Sequence, residues 1–75
     1  MELLDIVIND PEIMHGQATI RGTRIPVTVV LDNIAAGLSE AEIIDHYPSL
    51  TSQGIRAAAA YGALLVREEV MPLHS

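Results

Sequence analysis

The spacing of apolar residues changes character along this chain, from extended runs to helical intervals. Near the N-terminus, Asp5-Ile6-Val7-Ile8-Asn9 is rich in β-branched residues and runs into Asn9-Asp10-Pro11, which is turn chemistry. A second run, Gln17-Ala18-Thr19-Ile20-Arg21, follows His15-Gly16, and the pair predicts a short hairpin-like ribbon. From Val27 the period lengthens. Val27, Val30, Leu31, Ile34, Ala35 and Leu38 recur at helical intervals, with Gly37 as the stop.

The second helix carries the clearest start signal. Ser39 and Glu42 have capping-box spacing, and Leu38 and Ile43 stand where a hydrophobic staple would close over it. Ile43, Ile44 and Tyr47 supply its apolar stripe, and Pro48 ends it after about two turns. A last helix is predicted from Thr51 or Ser52 to about Val70, with Ala57 to Ala60 as a strongly helix-favouring tract. Ile55, Ala58, Ala59, Gly62, Leu65 and Val66 form one apolar face, widened by Ala60, Tyr61 and Leu64. A helix this apolar is expected to be buried on most sides. The whole chain, residues 1–75, reads as one domain. Residues 1–24 hold the ribbon and an Arg21-Gly22-Thr23-Arg24 hinge, and residues 25–70 hold three helices. The fold class is mainly α, with a helix-turn-helix outline behind a short N-terminal β ribbon.

Composition narrows the function classes. A chain of 75 residues hides only about 60% of its unfolded surface, so its own core is marginal. There is no cysteine to staple it, and His15, His46 and His74 have no ligand spacing, so no metal or other cofactor is expected. Oligomerisation remains as support, and a homodimer is expected, with the N-terminal strands and the last helix at its interface. The net charge is −6, with four arginines and no lysine. Such a surface disfavours non-specific binding to nucleic acid or membrane and favours a basic partner. The N-terminus has no signal-peptide pattern and no apolar run approaches the roughly 20 residues of a membrane span, so a cytoplasmic protein is expected.

No residue is expected to be catalytic. Asp5, Asp10, Glu12, Asp32, Glu40, Glu42 and Asp45 read as solvated acids, and Ser39 and Ser49 have cap and turn explanations. Two features point instead to binding. The helix-turn-helix outline would present Ser52, Gln53 and Arg56 at the start of the last helix to DNA bases. Arg21 and Arg24 flank a flexible Gly-Thr and could grip phosphate or a partner's carboxylates. The competing reading is a plain three-helix bundle whose arginines pair with its own acids. On the residues alone, the competing reading is favoured, and the acidic Glu40, Glu42 and Asp45 count against DNA.

The order of motifs is also familiar. Asn9-Asp10-Pro11, Ile20-Arg21-Gly22-Thr23-Arg24-Ile25-Pro26-Val27, Gly37-Leu38-Ser39-Glu40-Ala41-Glu42-Ile43, Tyr47-Pro48-Ser49-Leu50-Thr51 and Ile55-Arg56-Ala57-Ala58 together resemble the DUF433 family over roughly residues 3 to 68. Those are small bacterial and archaeal proteins similar to antitoxins of the VapB45 type. The resemblance implies a homeodomain-like helix-turn-helix core, usually dimeric. It also implies an antitoxin role: silencing a PIN-like ribonuclease toxin and binding operator DNA. Glu68, Glu69, Val70 and Met71 would then reach the toxin, with Arg21, Arg24, Ser52, Gln53 and Arg56 on DNA. Where the family commonly has Gly-Gly-Lys/Arg-Pro, this chain has His15-Gly16-Gln17-Ala18, which weakens a phosphate-binding role for that loop. The alternatives are a stand-alone dimeric interaction or DNA-binding regulatory domain without a toxin, and a dimeric haem- or metal-binding protein.

Overall fold

Leu3 and Ile6 stand one 3-10 turn apart and are both half-buried, while Leu4 and Asp5 between them face solvent. That period of three makes Leu3–Ile6 a 3-10 turn lying against the last helix, where an extended run had been expected from Asp5 onward. The computed structural model describes residues 3–12 and 16–69. Only Val7–Ile8 is a strand (β1), and it pairs antiparallel with Thr19–Ile20 (β2), Val7 opposite Ile20 and Ile8 opposite Thr19.

The ribbon has a further extended segment that the sequence pattern did not suggest. Ile20 N–H donates to the Ile25 carbonyl at 3.0 Å, and Val27 N–H donates to the Ala18 carbonyl at 2.9 Å. Thr19 and Pro26 face each other as an antiparallel bridge. Residues 21–24, read from the sequence as a hinge, are therefore the loop of a hairpin-like turn. The chain doubles back on β2 before the first helix begins. Gly22, at φ +82°, takes the left-handed conformation that this turn requires.

Three helices follow: α1 (Val27–Ala35), α2 (Glu40–His46) and α3 (Ser52–Glu69). α1 starts without a side-chain cap, since its N-cap residue, Pro26, has no side-chain acceptor, and the Val27 N–H is instead bonded to Ala18 of the ribbon. It ends in a Schellman motif. Gly37, at φ +90°, donates to Ile34, and Leu38 donates to Asn33. α2 begins in the expected capping box, with both reciprocal bonds present.

The core is built of small and branched side chains. Val27 and Val30 of α1, Ile43 of α2, Leu50 of the connection that follows it, Ile55 and Ala58 of α3, and Ile20 of β2 form one buried cluster. Ala57 and Ala58 are fully buried, and their small size lets the other elements approach α3 closely. That coverage stops halfway. From Ala59 to Arg67 no residue of α3 is fully buried, and Ala59, Ala63, Leu65 and Val66 are exposed. The apolar face expected to be buried on most sides is thus fully buried only along its first half, while Ala60, Tyr61, Gly62 and Leu64 beyond it are half-buried.

Candidate functional site

The Arg21–Arg24 turn is wired internally. Thr23 N–H donates to the Ile20 carbonyl, and the Thr23 hydroxyl donates to the same oxygen at 2.8 Å. That hydroxyl also accepts the Ile25 N–H at 3.0 Å. With Thr23 turned inward, Arg21 and Arg24 are left exposed on either side. Neither guanidinium is hydrogen-bonded among the described residues, so the expected pairing with the domain's own acids is not formed there.

The turn and the start of α3 lie at the same end of the molecule. A Cβ built at Gly54 would stand 3.2 Å from Ile20 Cγ2, so the residue preceding Arg21 touches the residue following Gln53. Ser52, Gln53 and Arg56 are all exposed. The five residues read as a DNA face are therefore brought to one end, around a contact between β2 and the first turn of α3.

The electrostatics of that end are mixed. Ser52 Oγ donates to Glu40 Oε1 at 2.9 Å, which fixes a carboxylate of α2 beside the N-terminus of α3. Glu42 is close by in sequence. The Ser39 backbone N–H donates to its carboxylate, the Ser39 hydroxyl adds to this, and the Glu42 pKa is held below its usual value. Glu42 thus stays ionised to lower pH than a free glutamate. Phosphate approaching Arg56 would meet this acidic helix as well.

A second feature had not been anticipated from the sequence. Between α1 and the exposed half of α3 lies a cleft of about 240 Å³, lined by Gln17, Ala18, Val27, Thr28, Leu31, Tyr61, Gly62 and Leu65. Its walls are almost wholly apolar and carry no charge. Gln17 Nε2 donates to Thr28 Oγ1 at 3.3 Å on its edge. The cleft draws on three separate stretches of chain, so no local pattern could mark it. The one available hint was Gly62, a residue of poor helix propensity inside a strongly helical run.

Of the segment expected to reach a toxin, Glu68 and Glu69 close α3, while Val70 and Met71 lie outside the described residues. So do His15 and His74; His46 is exposed at the end of α2. Among the described residues no group of three His, Cys, Asp or Glu side chains is placed to hold a metal ion. No helix among them is long and apolar enough to cross a membrane.

A short antiparallel ribbon on three helices defines a small, mainly α domain. The chain belongs to the family described as protein of unknown function (DUF433), whose model matches residues 7–62. It is similar to the uncharacterized protein y4eO of Sinorhizobium fredii, with 40% identity over 57 residues. That match covers 76% of this chain and 26% of y4eO, so the chain spans about a quarter of that relative's length. It is also similar to a DUF433 member from Anabaena variabilis whose crystal structure superimposes with a TM-score of 0.75 at 32% identity. That likeness covers 84% of this chain and 62% of the Anabaena chain.

Proposed function

We propose that this domain is an antitoxin-like binding protein that neutralises a cationic, PIN-like ribonuclease by docking an acidic surface against it. The observation that carries this reading is the acidity of α2. Glu40, Glu42 and Asp45 are exposed on a helix of only seven residues, in a chain of net charge −6. An RNA-binding channel must be cationic to hold phosphate, and a surface of opposite charge speeds encounter with it. The acids at the end of α3 and the residues beyond would add to this contact.

Co-purification and inhibition assays with the ribonuclease of the neighbouring gene test the reading. Deleting residues 68–75 is expected to weaken inhibition. Converting Glu40, Glu42 and Asp45 to their amides should slow association and flatten its salt dependence. If neither variant changes binding to a toxin that the wild type inhibits, the acidic surface is not the contact.

Operator binding is the second reading, supported by the contact of Ile20 with Gly54 that gathers Arg21, Arg24, Ser52, Gln53 and Arg56 at one end. Glu40 beside Ser52 opposes it, so weak binding by the isolated domain is expected, tightening when a basic toxin offsets the charge. In gel shifts with the upstream region, Arg56→Ala should cost about 1–3 kcal/mol at particular base pairs, while Arg24→Ala weakens all sequences alike. Equal, sequence-independent losses from both would leave no base-reading role for α3.

A further inference from the structure

We infer that the uncharged cleft between α1 and α3 is a binding site for a small, neutral, aromatic molecule that carries one hydrogen-bonding group. The chain's own side chains leave this space open. Leu31 already fills the gap beside Gly62, its Cδ1 lying 3.1 Å from where a Cβ at residue 62 would stand. The cleft of about 240 Å³ is what remains with Leu31 in place. Three stretches of chain enclose it, so it is a recess and not a flat helix face. Ala18 beside β2 forms one wall, Val27 and Leu31 of α1 the second, and Tyr61 and Leu65 of α3 the third.

Size and charge limit the ligand. An apolar cavity of about 150 Å³ accommodates benzene, so a space of about 240 Å³ takes one ring with a second fused to it. It falls short of the roughly 300 Å³ at which drug-sized pockets begin. No charged residue lines it, so a cation finds no carboxylate there. A net charge of −6 repels anions. The ligand is therefore neutral.

Polar groups on the edge of the cleft supply orientation. Gln17 Nε2 donates to Thr28 Oγ1 across 3.3 Å, a long bond between two exposed side chains. Gln17 Oε1 makes no hydrogen bond among the described residues and is free to accept from a ligand N–H or O–H. The half-buried Tyr61 ring offers its face or edge to an aromatic ligand. The chain has neither Phe nor Trp, and Tyr47 and Tyr61 both pack against its own core. A second copy thus has no spare ring to place in the cleft. The site is independent of the toxin and operator readings, since neither α2 nor the arginine turn lines it.

Indole, two fused rings with a single N–H, is the probe. Titrated into the isotope-labelled full chain, it is expected to give saturable NMR shifts at Ala18, Thr28, Tyr61 and Leu65, with a Kd of about 0.1–1 mM. N-methylindole lacks the donor and should bind about threefold more weakly, and indoleacetate, an anion, about tenfold more weakly. Gln17→Ala should make indole and N-methylindole equal. Ala18→Leu fills the recess and should abolish the shifts. Should that variant unfold, Leu65→Glu, at a position 42% exposed, sets a charge in the wall without entering the core and should weaken binding about tenfold. Shifts scattered over the surface, no saturation by about 10 mM, or an affinity unchanged by Leu65→Glu overturn the proposal. Wild-type binding of N-methylindole or indoleacetate as tight as that of indole overturns it as well. N-acetyltryptophanamide carries the same ring on a peptide backbone, and if it binds as tightly as indole the cleft is a seat for a partner's side chain instead. Shifts at the same residues on raising protein concentration alone would assign it to a second copy, against the proposal.

Discussion

Gly62 lets Leu31 lie so close to α3 that a Cβ built at residue 62 would stand 3.1 Å from Leu31 Cδ1. Gly54, one turn into the same helix, shows a similar approach of 3.2 Å to Ile20 Cγ2. The two contacts look alike, but their neighbours differ in freedom. Leu31 is half-buried and borders an open cleft into which its end can swing. Ile20 is 3% exposed, β-branched and held in the ribbon, so its Cγ2 cannot give. Gly62→Ala should therefore realise most of the helix-propensity gain of up to about 1 kcal/mol. Gly54→Ala should set the same gain against an overpacking cost of about 1–3 kcal/mol and lose on balance. Urea unfolding at one fixed protein concentration measures both. A stabilised Gly54→Ala would show that Ile20 is not held as described.

The Thr23 hydroxyl donates to Ile20 O and accepts from Ile25 N–H, so it closes the arginine turn from inside. Thr23→Val removes both bonds and leaves a half-buried N–H without its partner, at a cost of about 1–3 kcal/mol. In a domain of this size each kcal/mol moves the melting temperature by about 4–8 °C. Thr23→Ser keeps the oxygen and should retain most of the stability. A Thr23→Val variant as stable as wild type, with the loss falling on Thr23→Ser instead, would assign the effect to the methyl group and not to the hydrogen bonds.

The difference between local and long-range signals explains what was legible in the sequence. Ser39 and Glu42 announce the start of α2 because both capping bonds join residues three apart, and Gly37 announces the end of α1 for a comparable reason. The return of residues 25–27 onto β2 has no such signature. Arg21 to Ile25 reads as loop chemistry whether the chain doubles back or runs on, and only pairing with Ala18 and Ile20 distinguishes the two. The half-covered face of α3 was hidden for a related reason. Ala58 and Ala59 are identical in sequence pattern, yet one is fully buried and the other exposed, because the elements packed against α3 reach one side only. The arginine end was legible as residue types, whereas the cleft, assembled from three distant stretches, was not.

Thr19 offers a test in the opposite direction, where a polar atom should be removed. It is wholly buried at the centre of the ribbon, between Ile8 and Pro26, and its Oγ1 has no hydrogen-bond partner among the described residues. A buried hydroxyl without a partner carries its desolvation cost uncompensated, about 1–3 kcal/mol. Thr19→Val has nearly the same shape and removes that cost, so it should raise stability, while Thr19→Ala should lower it by leaving a cavity. Thermal unfolding of the two variants decides the point. Destabilisation by Val as well as by Ala would mean that the hydroxyl has a partner after all.

The capping box gives a pH dependence whose sign follows from its geometry. The Ser39 backbone N–H donates to Glu42 Oε1 at 2.8 Å, and Glu42 N–H donates to Ser39 Oγ at 3.1 Å. Hydrogen bonding to the ionised carboxylate lowers the Glu42 pKa in the folded chain, the backbone bond being the larger cause and the Ser39 hydroxyl the next. A group whose folded pKa is depressed binds more protons when unfolded, so stability rises with pH through that range. The contribution of Glu42 is complete above its unfolded pKa, near 4.3 for a free glutamate, and is lost as pH falls through the lower folded value. Glu42→Gln removes this dependence, since an amide accepts the same bond without titrating. Its stability relative to wild type should therefore rise as pH falls below about 4, with the two curves converging. Ser39→Ala removes the hydroxyl that accepts from Glu42 N–H, and loss of such a cap costs about 1 kcal/mol at neutral pH. It should also return the Glu42 pKa part of the way to its ordinary value, because the backbone bond survives the substitution. Carboxyl titration followed by NMR reads both effects at residue 42. A Glu42 that titrates at the ordinary glutamate value in the wild type would show that the reciprocal bond to Ser39 is not made in solution.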